Sequence, residues 1–194
     1  MIPVTVVLAT ANPGKVRELA ALVAEWGHVE VRSLADVPPL AMPDEDGATY
    51  EENAALKARA VAQATRLPAL ADDSGLEVDA LAGAPGVRSA RFGTSDADRV
   101  GRLLAALGDT PARDRGARFR CAVVLAWPDG RVETAEGSTE GSITERPLGA
   151  GGFGYDPVFR SIELGCTFAE ASAADKARVS HRARAVRALG AALR

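Results

Sequence analysis

Asp72 and Asp73 stand side by side at the end of an apolar run, Pro68–Ala71, and are followed at once by Ser74 and Gly75. Neighbouring side chains on an extended backbone point to opposite faces, so one carboxylate can serve an open surface while the other braces adjacent chain. Carboxylates at the C-terminal end of a strand, beside a hydroxyl and a glycine, are where α/β enzymes commonly hold metal and phosphate. Ser74-Gly75 is expected to turn the chain, since a small, permissive pair turns easily. A plain Asp-Asp-Ser-Gly surface turn would read the same in isolation, so the rest of the chain has to decide.

Further candidate groups lie elsewhere. Glu45 sits in an acidic loop, Asp44-Glu45-Asp46-Gly47, and cations stand at Lys15, Lys176 and Arg182. The stretch Gly149–Asp156, GAGGFGYD, presents Phe153 and Tyr155 among glycines. It satisfies G-x-G-x-x-G formally, but Pro157 follows and no amphipathic helix opens there, which argues against a dinucleotide fingerprint. A glycine loop bearing aromatic rings instead suits a flat ligand approached closely by backbone. Each feature has an ordinary alternative: a solvated acidic loop, a solvated lysine, a turn that buries two aromatics. With 2 histidines and no paired cysteine motif, catalytic zinc is disfavoured. Hard carboxylates fit Mg²⁺, which takes a few such ligands plus phosphate oxygens and water. Together these parts suit metal-assisted attack on a phosphoanhydride of a nucleotide.

The elements that must position these groups are legible in the pattern. Val4–Ala9 reads as a buried strand. Asn12 and Pro13 then open a helix whose Val16, Leu19, Ala20, Val23 and Trp26 share a face, closed by Gly27. Lys15 falls in its first turn, where it could reach an anion also held by the helix's N–H groups. Thr10–Lys15 is not a Walker A loop, because Ala9 and Val16 stand where that motif needs Gly and Ser or Thr. Val29–Ser33 reads as a strand and Leu34–Gly47 as a proline-rich loop. Thr49 and Glu52 box a helix to about Thr65, with Leu56, Ala60, Val61 and Ala64 facing inward. Glu77–Leu81 reads as a strand, Gly83–Gly93 as a loop, and Ser95 with Asp98 caps a helix ending at Gly108. Pro128-Asp129-Gly130 joins Arg118–Trp127 to Arg131–Ala135 as a hairpin. Ser172 and Asp175 box a short helix carrying Lys176, and Ser180-His181-Arg182 opens a last one. This β-α-β-α-β-α order followed by a hairpin predicts a mixed sheet with helices packed on it.

At 194 residues, 47% hydrophobic and 25% charged, the chain fits one globular domain, without repeat or linker. A formal net charge of -3 gives no chain-wide footprint for nucleic acid. No apolar run spans a membrane, and the first residues lack a signal-peptide pattern. Cys121 and Cys166 lack disulfide or metal spacing, so a cytoplasmic location is expected.

The stretches ATANPGKVREL, DGATYEENAALKA, ADDSGLEVDAL, GAPGVRSARF, GGFGYDPVF and DKARVSHRARA resemble, in kind and in order, the inosine triphosphate pyrophosphatase family over almost the whole chain. One departure is Ala11, where many relatives carry glycine. The resemblance implies an α/β fold, with a long twisted mixed sheet, flanking helices and two lobes around a central nucleotide-binding cleft, all in a single domain, 1–194. It implies hydrolysis of ITP, dITP and XTP to the monophosphate and pyrophosphate, and a homodimer. On that pattern Thr10, Ala11, Asn12, Pro13, Gly14 and Lys15 hold the triphosphate. Asp73 is the general base and shares Mg²⁺, or Mn²⁺, with Glu45, while Asp72 supports them. Ser74, Phe153, Gly154, Tyr155, Asp156, Lys176, His181 and Arg182 contact substrate, Phe153 stacking on the purine. Two rival readings stand beside this one. A septum-inhibitor type pyrophosphatase of pyrimidine or modified nucleotides fits the SHRARA and GGFGYD stretches poorly. A silent nucleotide- or RNA-binding protein would not need the whole acid and lysine set.

Overall fold

A computed structural model describes the whole chain, residues 1–194. Eleven principal elements follow the expected order, with one strand, β6, beyond those expected: β1 (Thr5–Leu8), α1 (Pro13–Ala24), β2 (Glu30–Arg32), α2 (Tyr50–Thr65), β3 (Ala69–Val78), α3 (Asp96–Leu107), β4 (Gly116–Ala126), β5 (Val132–Ile143), β6 (Phe159–Ser161), α4 (Ala173–Val179) and α5 (His181–Ala192). The six strands form one sheet in the order β2-β1-β3-β4-β5-β6. β1 runs parallel to β2 and β3, whereas β5 and β6 are antiparallel, so the sheet is mixed.

Two compact units divide the chain, and the boundary on β3 falls between Asp73 and Ser74. Unit 1 comprises Met1–Asp73, Cys121–Gly137 and Arg182–Arg194. Its strands are apolar on both faces, as strands covered by helices on each side must be. Val6, Leu8, Leu70, Cys121, Val123 and Leu125 share a buried cluster with Leu19, Leu22 and Val23 of α1 and Val186 and Leu189 of α5. The alternate residues Val7, Ala9, Ala69, Ala71, Val124 and Ala126 pack instead with Ala54, Ala58, Val61 and Ala62 of α2. The period-two pleat thus assigns each strand residue to a helix layer. Unit 2 comprises Ser74–Arg120 and Ser138–His181. Its core joins Leu76 and Val78 to Val100, Leu103 and Leu107 of α3, with Phe119, Phe159 and Phe168. No helix is long and apolar enough to cross a membrane.

Local signals set most helix boundaries. The Asn12 side chain accepts from Gly14 N and Lys15 N, and Pro13 takes the first helical position of α1. Thr49, Ser95 and Ser172 accept from the third residue of α2, α3 and α4 respectively. In the Thr49 box, however, Glu52 accepts from Ala48 N rather than from Thr49.

Three expectations are corrected. Ser74-Gly75 is not a turn: β3 runs without a break from Ala69 through both acids to Val78. β1 pairs with it only at Ala69 and Leu70, so beyond the acids its sheet neighbour is β4, and that pairing outweighs the local turn preference of Ser and Gly. The strand expected over Glu77–Leu81 correspondingly stops early, giving way to a 3₁₀ turn, Asp79–Leu81. The inward face of α2 is also rotated from the expected one. Leu56 is 38% exposed and Ala64 is exposed, while Asn53, Ala54, Lys57, Ala58, Val61 and Ala62 are buried. A lone leucine misleads here because the true face is an alanine stripe interrupted by two polar residues.

Trp26 and α5 illustrate how tightly unit 1 is fitted. The indole Nε1 donates to Val186 O at 3.2 Å, and a Cβ added at Gly190 would lie 2.6 Å from indole Cδ1. Gly101 in α3 is exposed, and a Cβ there meets nothing within 4 Å. Gly190→Ala should therefore lose about 1–3 kcal/mol through overpacking, despite the better helix propensity of alanine. Gly101→Ala should gain about 0.5–1 kcal/mol. Urea denaturation of both variants checks the opposite signs.

Candidate active site

The pleat that separates the two helix layers also separates the two acids. Asp72 follows Leu70 onto the α1/α5 face, and Asp73 follows Ala71 onto the α2 face. Asp72 has no exposed surface. Arg182 of α5 donates from Nε and Nη2 to its Oδ2, both at 2.9 Å, and Lys15 Nζ lies 3.1 Å from the same oxygen. The Cys121 thiol is 4.0 Å away. Burial alone would push the Asp72 carboxyl up, but the charges of Arg182, Lys15 and Lys57 outweigh it and hold the group well below the usual carboxylate range. The Cys121 thiol is pushed up by burial and by Asp72, so it stays a protonated, inert core residue.

Asp73 is 6% exposed and has different partners. Asn53 Nδ2 donates to its Oδ2 at 3.1 Å, and Lys57 Nζ stands 3.9 Å from its Oδ1. Its pKa is raised, chiefly by burial and further by the neighbouring charge of Glu45, against the pull of Lys57, Lys15 and the Asn53 hydrogen bond. Glu45, partly exposed in the loop before α2, accepts from Lys57 Nζ at 2.8 Å. Two carboxylates facing one ammonium form a set of oxygen donors that a hard divalent cation would fit.

Other expected site residues fall as follows. Thr10 Oγ1 accepts from Asn12 N, and the Asn12 cap already takes the Gly14 and Lys15 amides. The start of α1 is therefore not an open cradle of N–H groups; Ala11 and Pro13 are exposed beside it, and Lys15 rests on Asp72. Arg182 is not an open donor at a helix start either. It is 2% exposed, and its guanidinium bonds Asp72 and Glu18.

Within unit 2, Ser74 follows the acids on β3 and is partly buried. Asp156 is buried and accepts from Phe153 N at 2.8 Å and from Lys176 Nζ. That ammonium lies 4.8 Å from the centre of the Phe153 ring. Gly154, at φ +61°, donates to Asp96 Oδ2 at 2.7 Å, a conformation that favours glycine. Tyr155 is not displayed by this loop. It is 4% exposed, its hydroxyl donates to Ser89 O at 3.0 Å, and burial pushes its pKa up to about 12. His181 is buried and stacked on Phe119, with ring centres 4.6 Å apart.

Sequence reasoning missed Lys57, Asn53 and Glu18. Asn53 and Lys57 are four residues apart on the alanine stripe of α2, and that polar break was the available signal.

Two oppositely directed carboxylates, each attended by a lysine, give this α/β protein the oxygen donors and cations from which a polyanion site can be built. The particular family is identifiable: the chain belongs to the Ham1 family, whose sequence model matches residues 6–192. It is 56% identical over 186 residues to the dITP/XTP pyrophosphatase of Thermus thermophilus, covering 95% of this chain and 89% of that protein. It is 48% identical to the dITP/XTP pyrophosphatase of Geobacillus kaustophilus, covering 93% and 90%. Its fold is similar to that of the Staphylococcus aureus Ham1 protein, with a TM-score of 0.84 at 38% identity over 97% of each chain.

Asp72→Asn keeps the side-chain shape but leaves Arg182 and Lys15 without their shared anion. It should cost about 3–5 kcal/mol at neutral pH, as for other broken buried pairs. Because the folded carboxyl titrates below its unfolded value, its contribution is complete above about pH 4 and is lost as the pH falls toward the folded value. Wild type should therefore lose Tm more steeply than the variant between about pH 4 and pH 2, as followed by circular dichroism.

Proposed function

We propose that this chain is a nucleoside-triphosphate pyrophosphohydrolase that converts ITP, dITP and XTP to the monophosphate and pyrophosphate, clearing non-standard purines from the nucleotide pool. The observation that carries the reading is the Asp73–Glu45–Lys57 set on unit 1, with Lys15 on the neighbouring face, in a chain about half identical to dITP/XTP pyrophosphatases. Such enzymes generally use a divalent metal, and we take it to be Mg²⁺, with Mn²⁺ as a substitute, because the donors are carboxylate oxygens without thiolate or imidazole.

Glu45 and Asp73 would hold that metal, which when bound would offset charge on the polyphosphate. Asp73, ionised, accepts a hydrogen bond from the attacking water and orients it toward the α-phosphorus. The burial that raises its pKa also makes it a stronger proton acceptor than an exposed aspartate. Lys15, held on Asp72 within reach of solvent, meets negative charge as it builds on the departing pyrophosphate. The Thr10–Lys15 turn contributes substrate contacts at the phosphates. Phe153 offers its ring face to the purine, supported beneath by Asp156 and Lys176. Ser74, Gly154, Tyr155, His181 and Arg182 belong to the proposed site as well; Tyr155, His181 and Arg182 act by shaping it, given their burial. A homodimer in the cytoplasm completes the reading, supported by the family pattern and by two unpaired cysteines.

Purified protein should release pyrophosphate from ITP, dITP and XTP in Mg²⁺ far faster than from ATP. Exhaustive chelation should abolish release. Asp73→Asn should keep its circular dichroism spectrum and lose at least ~10²-fold in kcat, the lower range for a missing acid–base group. Near-native turnover in that variant would remove Asp73 from its role, and equal rates on ITP and ATP would remove the assigned specificity.

A further inference from the structure

We infer that Lys57 is a built-in counter-cation of the Glu45–Asp73 pair, so that divalent metal enters the site together with a polyphosphate rather than ahead of it. The inference rests on the metal reading above and adds a role for a residue outside the predicted set. Lys57 is 6% exposed on a helix stripe that, Asn53 apart, is made of Ala54, Ala58, Val61 and Ala62. An ammonium on such a stripe is costly unless an anion compensates it. Its Nζ lies 2.8 Å from Glu45 Oε1 and 3.9 Å from Asp73 Oδ1, so one cation already spans both candidate metal carboxylates.

Asn53, one turn earlier, fixes this arrangement. Its Nδ2 donates to Asp73 Oδ2 at 3.1 Å, while its Oδ1 accepts from Gly47 N at 2.9 Å, two residues beyond Glu45. A Cβ at Gly47 would lie 2.8 Å from that same Oδ1, so the approach needs a glycine. The amide thereby ties the Glu45 loop to the acid on β3 and holds both carboxylates against the lysine.

A divalent ion and the ammonium compete for the same two negative charges, and they repel each other if both stay. In the absence of another anion, binding metal means separating Lys57 from Glu45 in a largely buried place, so affinity for metal alone is low. A polyphosphate adds negative charge that can accept both cations. Metal and polyanion then reinforce each other's binding, and idle protein does not accumulate metal. Lysine suits this exchange because its charge is compact and its four-carbon stem is flexible.

The test measures Mn²⁺ binding by titration calorimetry on intact protein, alone and with imidodiphosphate. Lys57→Met should bind Mn²⁺ alone at least ~10-fold more tightly than wild type, the scale expected for removing a nearby like charge. Imidodiphosphate should tighten Mn²⁺ binding by a larger factor in wild type than in Lys57→Met. Should the methionine variant not fold, Lys57→Gln keeps a donor for Glu45 while removing the charge and must show the same tightening. Unchanged or weaker Mn²⁺ binding in the folded variant overturns the inference. Adding Glu45→Gln to Lys57→Met must abolish the gain; if it persists, the metal lies elsewhere and the inference falls. If no form binds Mn²⁺ even with imidodiphosphate, the metal reading itself fails, an outcome distinct from equal binding in wild type and variant.

Discussion

The charge on Asp72 sits where water does not reach, and the surrounding parts of unit 1 are arranged to compensate it. The carboxylate is fully enclosed by β-sheet, α1 and α5, and leaving it unpaired there would cost several kcal/mol. Arg182 supplies two donors from α5, and Lys15 supplies a third cation-borne contact from the first turn of α1. The two helices that cover this face of the sheet therefore share one acceptor, Asp72 Oδ2. Glu18 closes the arrangement by accepting from the same guanidinium. Packing of Leu19, Val23, Val186 and Leu189 supplies bulk cohesion, while the ion cluster specifies how α1 and α5 meet β3.

One residue further along, the same strand presents an acid with the opposite tendency. Asp72 is held ionised by nearby cations, whereas Asp73 is pushed toward protonation by burial and by Glu45. Adjacent carboxyl groups are thereby given opposite tendencies by their surroundings alone. The division comes from the pleat, which sends even and odd residues of β3 to different helices. Asn53 and Lys57 on α2 then give Asp73 a polar, adjustable setting in place of a closed ion cluster.

Unit 2 solves a different problem, that of holding an aromatic ring on a glycine-rich loop. Phe153 has its backbone amide on Asp156 and its ring beside Lys176, while Gly154 is tied to Asp96 at the start of α3. Tyr155, two residues from Phe153, anchors the loop in the core through Ser89. A glycine-rich composition is thus held in one conformation by side chains on either side of it.

The sequence by itself determined most of the elements, their order and the mixed sheet, though not β6, because caps, glycine stops and apolar periodicity are local signals. Asn12, Thr49, Ser95 and Ser172 open the helices as expected, and Pro128-Asp129-Gly130 joins β4 to β5. It also determined that Asp72 and Asp73 diverge, since alternation needs no partner. Only the tertiary structure decided that β3 continues through Ser74-Gly75, because the hydrogen bonds that hold it extended come from distant strands. Only the fold decided that Lys57 and not Leu56 faces inward, since burying an ammonium depends on Glu45, twelve residues away across a loop. The same holds for Arg182, whose partner Asp72 is 110 residues distant in the chain. A charged side chain declares its type in the sequence, but whether it meets solvent, ligand or a buried counter-charge depends on which other elements the fold brings to it.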